Sequence, residues 1–412
     1  MKILLVTGAL GYRGTAKALV AYAIILGKKH DVRIWGYDNR EETENEVYLK
    51  ERGFVVYIGQ NLLKEALDFK PDIVNLHRPG IFRQRDLDVF VPFHNQGARC
   101  IETNVFGRVD KSIVGVVDLS IQVSRWDLWQ WNRWKGKNYP IRGVYCPNPV
   151  DCEGHKRVDK DVILMMRHLW GVPSESIVLG RIGNTNWEAL EKPLLECLHN
   201  IPNLYFVHVD DHIDYLPSSI EKHPRVRRVP RLRGMNELSS FYSSCDVMVS
   251  MSIIGESFGY VNAEAMACGT PVIALSTILH CNAQSEVVAP NDGGYTIAQS
   301  KKLLSALKMF IKEREQKHFE TTCRKLIEDR YSFQACERIL YSIFGEGTIA
   351  DKEIVSDVPD SLILQNIGKA IGSYPIRDKI CFKFLYTPLA AIIISYIRTK
   401  LARVFKILKR FM

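Results

Sequence analysis

The chain has 412 residues, of which 46% are hydrophobic and 25% charged, with a formal net charge of +9. This length suits two domains with an extension, and the composition is typical of a globular protein. The excess charge is local, because nine Lys and Arg and one Asp lie between residues 377 and 412. The rest of the chain is about neutral, which excludes a basic body for nucleic acid.

The ten cysteines are scattered, and the closest two, Cys146 and Cys152, are six residues apart. This spacing predicts reduced thiols in a cytoplasmic protein rather than a disulfide framework or a zinc site. The N-terminus MKILLVTGALG reads as a strand and a turn, without the long apolar core or cleavage site of a signal peptide.

The first half of the chain alternates apolar runs with helical stretches. Helices are predicted at 15–26, 40–51 and 61–69. Strands are predicted at 2–8, 31–37, 54–59, 72–77, 99–103, 116–123 and 143–146. Such alternation predicts an open parallel sheet with helices on both faces.

Two prolines in Pro147-Asn-Pro-Val-Asp151 then interrupt the pattern, and we place a domain boundary there. The alternation restarts with strands predicted at 176–183, 203–209, 246–252 and 270–276, and with helices at 187–200, 236–243, 259–267 and 299–344. The predicted domains are therefore residues 1–150, 151–345 and an extension over 346–412. In paired sheets of this kind, ligands bind at the carboxyl ends of the strands, in the cleft between the domains.

The most informative segment is ESFG at 256–259 followed by NAEAMACGTPV at 262–272. Glu256 falls before the predicted helix, on a loop, whereas Glu264 lies in the helix's first turns. The helix N-terminus between them offers free N–H groups and a partial positive charge, which suit a phosphate. Carboxylates for hydroxyl groups beside amides for phosphate would fit a sugar nucleotide.

These residues resemble the signature of glycosyltransferase family 4, and every fixed position of that pattern is met. The resemblance implies an α/β chain of the GT-B fold, with two Rossmann-like domains facing each other across a cleft, here followed by a C-terminal helical extension. It also implies a retaining transferase that uses a nucleoside-diphosphate sugar, with no cofactor and no metal ion.

The family resemblance also implies roles for individual residues. Glu264 would accept hydrogen bonds from the ribose hydroxyls of the nucleotide, and Glu256 would contact hydroxyls of the transferred sugar. The backbone amides of Phe258, Gly259 and Tyr260 would lie beside the phosphate or the sugar.

Two cations complete the implied donor site. Family members place an Arg and a Lys where Arg181 and Lys192 stand, to hold the donor diphosphate. Fixed cations stabilise the charge that develops on a departing diphosphate without a metal. The alternative is that both are surface cations flanking a strand.

A glycine pattern follows the first predicted strand, with Gly8, Gly11 and Gly14 at three-residue spacing. With Asp38 at the end of the second strand, this is also the outline of a dinucleotide-binding fingerprint, so an NAD(P)-dependent short-chain dehydrogenase or epimerase acting on a nucleotide sugar is the alternative. That class needs a Tyr and a Lys four apart, and only Tyr396–Lys400 in the basic tail fits. In a glycosyltransferase, Gly11 and Gly14 would let the backbone approach the donor phosphates.

The acceptor side is less defined. Relatives often carry a His near the reacting sugar, whereas the counterpart segment at 101–107 has none. Glu102, Asn104 and His77 are candidates. A non-catalytic binding protein of the same fold is a further alternative.

Four tryptophans lie within residues 125–134. Helical spacing places Trp126, Trp129 and Trp134 on one side and Trp131 on the other. Core packing is one interpretation, and a platform for a sugar acceptor or a lipid headgroup is the other.

The segment 388–412 is compatible with a helix that begins apolar and becomes amphipathic and basic. The apolar part is too short to span a bilayer. We expect an interfacial helix on anionic lipid at the inner face of the membrane, with docking on protein as the alternative. A peripheral tail also suggests a glycan or lipid-linked acceptor, as in polysaccharide biosynthesis.

Overall fold

A computed structural model of the protein describes residues 1–11, 14–38, 42–78, 84–183, 187–209, 216–232, 234–345, 354–387 and 389–390. These residues form two parallel sheets, each covered by helices.

The first sheet has seven parallel strands in the order β3-β2-β1-β4-β5-β6-β7. Its strands are β1 (Lys2–Thr7), β2 (Asp31–Gly36), β3 (Val55–Ile58), β4 (Ile73–Arg78), β5 (Arg99–Asn104), β6 (Leu119–Gln122) and β7 (Arg142–Tyr145). The helices that connect and cover them are α1 (Gly14–Leu26), α2 (Glu44–Glu51), α3 (Leu63–Asp68), α4 (Gln84–Asn95) and α5 (Arg125–Lys135). The central strands β1 and β4 are buried on both faces almost throughout, as expected for a parallel sheet between two helix layers.

The second sheet has six parallel strands in the order β10-β9-β8-β11-β12-β13. Its strands are β8 (Ile177–Arg181), β9 (Leu204–Val209), β10 (Val226–Val229), β11 (Val247–Ser250), β12 (Val272–Leu275) and β13 (Gly294–Ile297). Its helices are α6 (Lys160–Leu169), α7 (Trp187–Asn200), α8 (Ser218–Glu221), α9 (Gly234–Ser244), α10 (Tyr260–Ala267), α11 (Gln284–Val287), α12 (Leu303–Glu313) and α13 (Phe319–Tyr331).

The chain passes between the two sheets twice, and the two crossings lie side by side. The Val150 amide donates to the Tyr331 carbonyl at 2.7 Å, and Val150 forms a parallel bridge with Ser332. Beyond that point α14 (Phe333–Phe344) packs its buried Leu340 and Phe344 into the core of the first sheet, against α1. The predicted helix 299–344 is thus three helices. The last of them leaves the predicted 151–345 unit and returns to the first sheet.

The described part of the extension contains α15 (Asp360–Gly368) and α16 (Ile376–Leu385). Both pack on the tryptophan face of α5. The Phe382 ring stacks on Trp129 with centroids 5.9 Å apart, and Tyr386 stacks on Trp134 at 5.7 Å. Core packing is therefore confirmed for these tryptophans, on the face that helical spacing predicts.

Trp131 lies buried on the other side of α5, as predicted, and packs edge-on against Tyr139. Among the described residues, no helix combines the length and apolar character needed to cross a membrane. Most of the predicted basic helix at 388–412, including Tyr396 and Lys400, lies outside the described residues.

Candidate donor site at the interdomain cleft

The N-terminus of α10 is set by a glycine at the carboxyl edge of the second sheet. Gly259 has φ 88° and ψ 66°, a left-handed conformation that glycine adopts without penalty. Its carbonyl accepts hydrogen bonds from the Asn262 and Ala263 amides at 3.0 and 3.1 Å. The first N–H groups of a helix have no acceptor within the helix, so this terminus presents donors and a partial positive charge.

Glu264 is buried in this helix, and its carboxylate contacts side chains from both halves of the molecule. The Lys17 Nζ from α1 lies 2.5 Å from Glu264 Oε1, and the Tyr242 hydroxyl donates to Oε2 at 3.0 Å. His155 Nε2 lies 3.7 Å from Oε1. Burial acts to raise the pKa of Glu264, but the charge of Lys17 and the hydrogen bonds from Lys17 and Tyr242 hold it below its ordinary value. Glu264 is therefore a charged carboxylate with partners on both oxygens.

Tyr260 opens α10 and joins the two halves of the molecule. Its hydroxyl donates to the Pro149 carbonyl, in the first interdomain crossing, at 3.2 Å. A Cβ placed on Gly14 would lie 3.3 Å from the Tyr260 ring, and Lys17 Nζ lies 5.8 Å from the ring centroid. The first turn of α1 thus faces the first turn of α10, and Gly14 permits that approach.

Glu256 lies on the loop between β11 and α10, held by its own backbone. Its amide donates to Gln284 Oε1 at 3.0 Å, and its carbonyl accepts from the Ala283 amide at 2.9 Å. The side chain runs alongside Gly259, whose hypothetical Cβ would lie 3.4 Å from Glu256 Cβ. Burial raises the pKa of Glu256 to about 7. The carboxyl therefore exchanges its proton near neutral pH, unlike that of Glu264.

Arg181 ends β8 and is buried. Its guanidinium donates to the Gly183 carbonyl at 2.5 Å and lies over the Trp187 ring, 4.5 Å from the centroid. A Cβ placed on Gly183 would lie 3.8 Å from Val261 Cγ2, in the first turn of α10. The turn that follows Arg181 therefore packs against the helix that carries Glu264.

The second predicted cation is Lys192. It lies in the second turn of α7 with an exposed side chain, five residues beyond Trp187. At about 1.5 Å per residue, that places its backbone roughly 7 Å along the helix axis from the end that faces Arg181. Its predicted role as the second cation beside the diphosphate stays a prediction.

Gly11 lies in the turn after β1, where a Cβ would meet no atom within 4 Å. The Asn45 side-chain amide donates to its carbonyl at 3.0 Å. A cavity of about 320 Å³ opens here, lined by Gly11, Leu10, residues 42–45 and, from the second sheet, Arg231. Gly11 therefore lines open space between the two sheets.

The acceptor-side candidates Glu102 and Asn104 belong to a buried polar network at the carboxyl ends of β4 to β6. Arg78 Nε donates to Glu102 Oε2 at 2.5 Å, and Ser120 donates to the other oxygen. Asn104 donates to the Arg108 carbonyl at 2.7 Å. Glu102 is thereby occupied as the partner of a buried arginine.

His77 is a buried core histidine at the end of β4. Burial lowers its pKa to about 3, so the ring is neutral, and it packs edge-on against Tyr22 with centroids 4.8 Å apart.

Sequence reasoning missed Lys17, Tyr242 and His155. Lys17 carried a signal, because it is the only charged residue of α1, GTAKALVAYAIIL, and lies one turn after Gly14. An isolated lysine in an otherwise apolar helix next to a predicted ligand loop is a candidate for a cleft contact. Tyr242 and His155 offered no pattern, since only the tertiary fold brings them to Glu264.

Comparisons with known proteins identify a family match and a shared fold. Residues 185–328 match the family model described as "Glycosyl transferases group 1". The matched segment contains the Glu256–Glu264 loop and α10. A search of curated proteins found no matching sequence.

Solved structures share the fold at low sequence identity. A HepE protein from Anabaena, in complex with UDP and glucose, is 16% identical, with 83% of this chain and 99% of that chain covered and a TM-score of 0.66. A glycosyltransferase from Rickettsia africae is 15% identical, with 84% and 99% covered and a TM-score of 0.65. A UDP-GlcNAc 2-epimerase from Neisseria meningitidis, bound to UDP-GlcNAc, is 14% identical, with 82% and 98% covered and a TM-score of 0.52.

The fold is therefore GT-B, and residues 185–328 match the model of the glycosyl transferases group 1 family. The expected GT-B fold is confirmed, and together with the family match it supports a glycosyltransferase. The second sheet, which the dehydrogenase alternative left unexplained, is the second Rossmann-like unit of this fold. Because an epimerase shares the fold, the fold by itself does not separate transfer from epimerisation.

Proposed function

We propose that the chain is a retaining, metal-independent glycosyltransferase of family 4 that moves a sugar from a nucleoside-diphosphate sugar to a glycan or lipid-linked acceptor. The observation that carries the proposal is the buried, charged Glu264 beside the N-terminus of α10, within the segment that matches the glycosyltransferase family. A carboxylate held in its charged form there can accept two ribose hydroxyls next to a site for phosphate.

The donor would extend from Glu264 across the helix N-terminus. Glu264 would hold the ribose, the amides of Phe258, Gly259 and Tyr260 would hold phosphate or sugar, and Glu256 would accept hydroxyls of the transferred sugar. Since the Anabaena neighbour was solved with UDP and glucose, UDP-sugars are the first donors to test.

Arg181 would face the diphosphate, with Gly11 and Gly14 allowing the first sheet's loop to approach from the opposite side. Its guanidinium is buried and carries a permanent charge, so it can stabilise the leaving group as negative charge builds on it.

The transfer is a front-face displacement. The bond between the anomeric carbon and the phosphate oxygen breaks, and the electron pair leaves with the nucleoside diphosphate. The acceptor oxygen bonds to the same face of the oxocarbenium-like carbon, and its proton passes to the departing phosphate oxygen. This route needs a stabilised diphosphate and no protein nucleophile.

The test begins with thermal-shift screening against UDP-, GDP-, ADP- and dTDP-sugars, followed by release of nucleoside diphosphate from the donor that binds. Glu264→Ala should reduce turnover by roughly tenfold or more with the fold intact. Glu188→Ala, at an exposed position of α7, is the matched control and should leave turnover unchanged. No binding to any of the four donors, or wild-type turnover in Glu264→Ala, would contradict the proposal.

The epimerase neighbour supports one competing function, epimerisation of a nucleotide sugar on the same fold. Product analysis separates the two, because transfer or slow hydrolysis releases nucleoside diphosphate, whereas simple epimerisation retains the sugar–phosphate bond. Bound nicotinamide absorbance would instead favour the NAD(P)-dependent alternative.

We also propose that the protein is cytoplasmic and attaches to an anionic membrane surface through residues 377–412. On α16 the side chains of Ile376, Ile380 and Phe384 are 77%, 64% and 52% exposed at a four-residue spacing, so they form one apolar stripe. Lys379 and Lys383 are exposed on the same helix. An apolar stripe flanked by lysines suits an interfacial helix.

Sedimentation with vesicles of phosphatidylglycerol or phosphatidylcholine tests this attachment. The triple variant Ile376→Ser, Ile380→Ser, Phe384→Ser should lose binding to the anionic vesicles, because its α16 no longer inserts apolar side chains. Leu364→Ser, which replaces an exposed apolar residue of α15, is the control and should still bind. Equal sedimentation of the triple variant and the wild type would end this part of the proposal.

A further inference from the structure

The Lys17–Glu264 ion pair stands where the proposed donor must bind. Lys17 lies in α1 and Glu264 in α10, 247 positions apart in sequence. The Lys17 side chain is 32% exposed, whereas that of Glu264 is 3% exposed, so the lysine reaches inward from the cleft. Its ammonium group donates to Oε1, whereas the Tyr242 hydroxyl donates to Oε2.

A ribose that binds through two hydroxyls would have to share the Glu264 carboxylate with the two donors already present. Oε2 already accepts from Tyr242 at 3.0 Å, and Oε1 accepts from Lys17 at 2.5 Å. His155 Nε2 lies farther from Oε1, at 3.7 Å, and burial lowers the pKa of its ring, so Lys17 is the closer cation. Lys17 therefore neutralises Glu264 when no donor is bound, and a ribose would compete with it.

The Lys17 ammonium also lies near the N-terminus of α10. Its Nζ is 5.8 Å from the centroid of the Tyr260 ring, at the first residue of α10. A lysine stem has four rotatable bonds, so its head can move several ångströms while its backbone stays in α1. Gly14, one turn earlier, keeps that part of α1 in contact with Tyr260. A phosphate at the N-terminus of α10 would be within the range of this side chain.

We propose that Lys17 is a donor-binding residue that exchanges partners, pairing with Glu264 in the empty protein and with the donor diphosphate once the ribose engages Glu264. This inference rests on the proposed function, in which Glu264 holds the ribose. It assigns to Lys17 the role of a further cation for the diphosphate, beside Arg181. The exchange also ties the first sheet to the donor, since α1 holds the lysine.

If Lys17 exchanges partners, removing it should affect the binding of the nucleoside and of the diphosphate in opposite directions. Dissociation constants are measured by calorimetry for uridine, guanosine, adenosine and thymidine and for their 5′-diphosphates, with wild type, Lys17→Met and Lys17→Arg. In Lys17→Met the affinity for the nucleoside should hold or increase, since a competitor is gone, while the gain from adding the diphosphate should fall at least about tenfold. Lys17→Arg keeps the charge and should retain most of that gain.

Glu264→Gln supplies the reciprocal test and serves if Lys17→Met does not fold. It should weaken nucleoside binding but keep the gain from the diphosphate, because Lys17 is then available. Circular dichroism and thermal unfolding establish that each variant is folded.

An equal weakening of nucleoside and diphosphate in Lys17→Met, or an unchanged diphosphate gain, would overturn the partner exchange while the proposed function stands. Failure of the wild type to bind any nucleotide would overturn both.

Discussion

Replacing Glu256 by Gln should stabilise the fold at neutral and alkaline pH while it reduces activity. The side chain lies in the cleft loop, where burial raises its pKa from an ordinary 4.5 to about 7. Above that pH the folded protein must hold a poorly solvated carboxylate, which costs free energy. Gln keeps the shape and the hydrogen-bonding oxygen without the charge.

The magnitude follows from the two pKa values. The folded-state pKa lies above the unfolded one, so the stabilising contribution of the neutral carboxyl is complete below pH 4.5 and is lost as the pH rises through about 7. At about 1.4 kcal/mol per pH unit, the difference between 4.5 and about 7 corresponds to about 3 kcal/mol. Glu256→Gln should therefore differ from wild type by about 1 kcal/mol or less at pH 5, and by about 3 kcal/mol in favour of the variant at pH 8.

Urea unfolding of both proteins at pH 5 and pH 8 measures this difference, and other titrating groups cancel in the comparison. Turnover at pH 8 should fall by roughly tenfold in Glu256→Gln, because the charged carboxylate is the stronger acceptor for sugar hydroxyls. A variant that is less stable than wild type at pH 8, or whose stability difference is the same at both pH values, would refute the argument from burial. A gain in stability without a loss of turnover would instead remove Glu256 from the donor site.

Two matched pairs of variants test the rest of the site. Arg181→Ala should reduce turnover by roughly tenfold or more, whereas Lys192→Ala on the exposed face of α7 should stay within about twofold in a coupled assay for released diphosphate. Similar losses in both variants would support Lys192 as the second cation. Gly14→Val should lower both the melting temperature and turnover, because its Cβ would lie 3.3 Å from the Tyr260 ring before the methyl groups are added. The methyl group of Gly11→Ala would point into open space, so the variant should keep the wild-type melting temperature but have a higher KM for the donor. A melting temperature as low as that of Gly14→Val would show that the turn itself is strained.

Apolar runs predicted most of the strands, since a buried parallel strand needs nothing but a short apolar segment. The exceptions have local causes. The edge strand β10 (VRRV) carries two arginines, and β13 (GYTI) contains a glycine and a threonine. Neither sequence is therefore an apolar run. α4 contains Pro92 and was not predicted at all.

The prediction of one long helix over 299–344 was wrong for a different reason. The hydrophobic periodicity continues through residues 331–333, yet one helix ends and the next begins there. Ser332 caps the second helix, because its side chain accepts a hydrogen bond from the Ala335 amide at 3.1 Å. That serine marks the crossing between the sheets, which local periodicity does not encode.

In the candidate site, too, some residues could be predicted from local sequence, whereas others are brought together only by the tertiary fold. The glutamate pair could be read from the sequence because its spacing fixes a loop, a glycine start and a helix within nine residues, 256–264. The partners of Glu264 could not, since Lys17 and Tyr242 reach it from 247 and 22 positions away. Those partners set the protonation of Glu264, and Glu256, which lacks such a cation in the described structure around it, has the opposite pKa shift. Two carboxylates of one motif thus differ in charge behaviour because of contacts that only the folded chain provides.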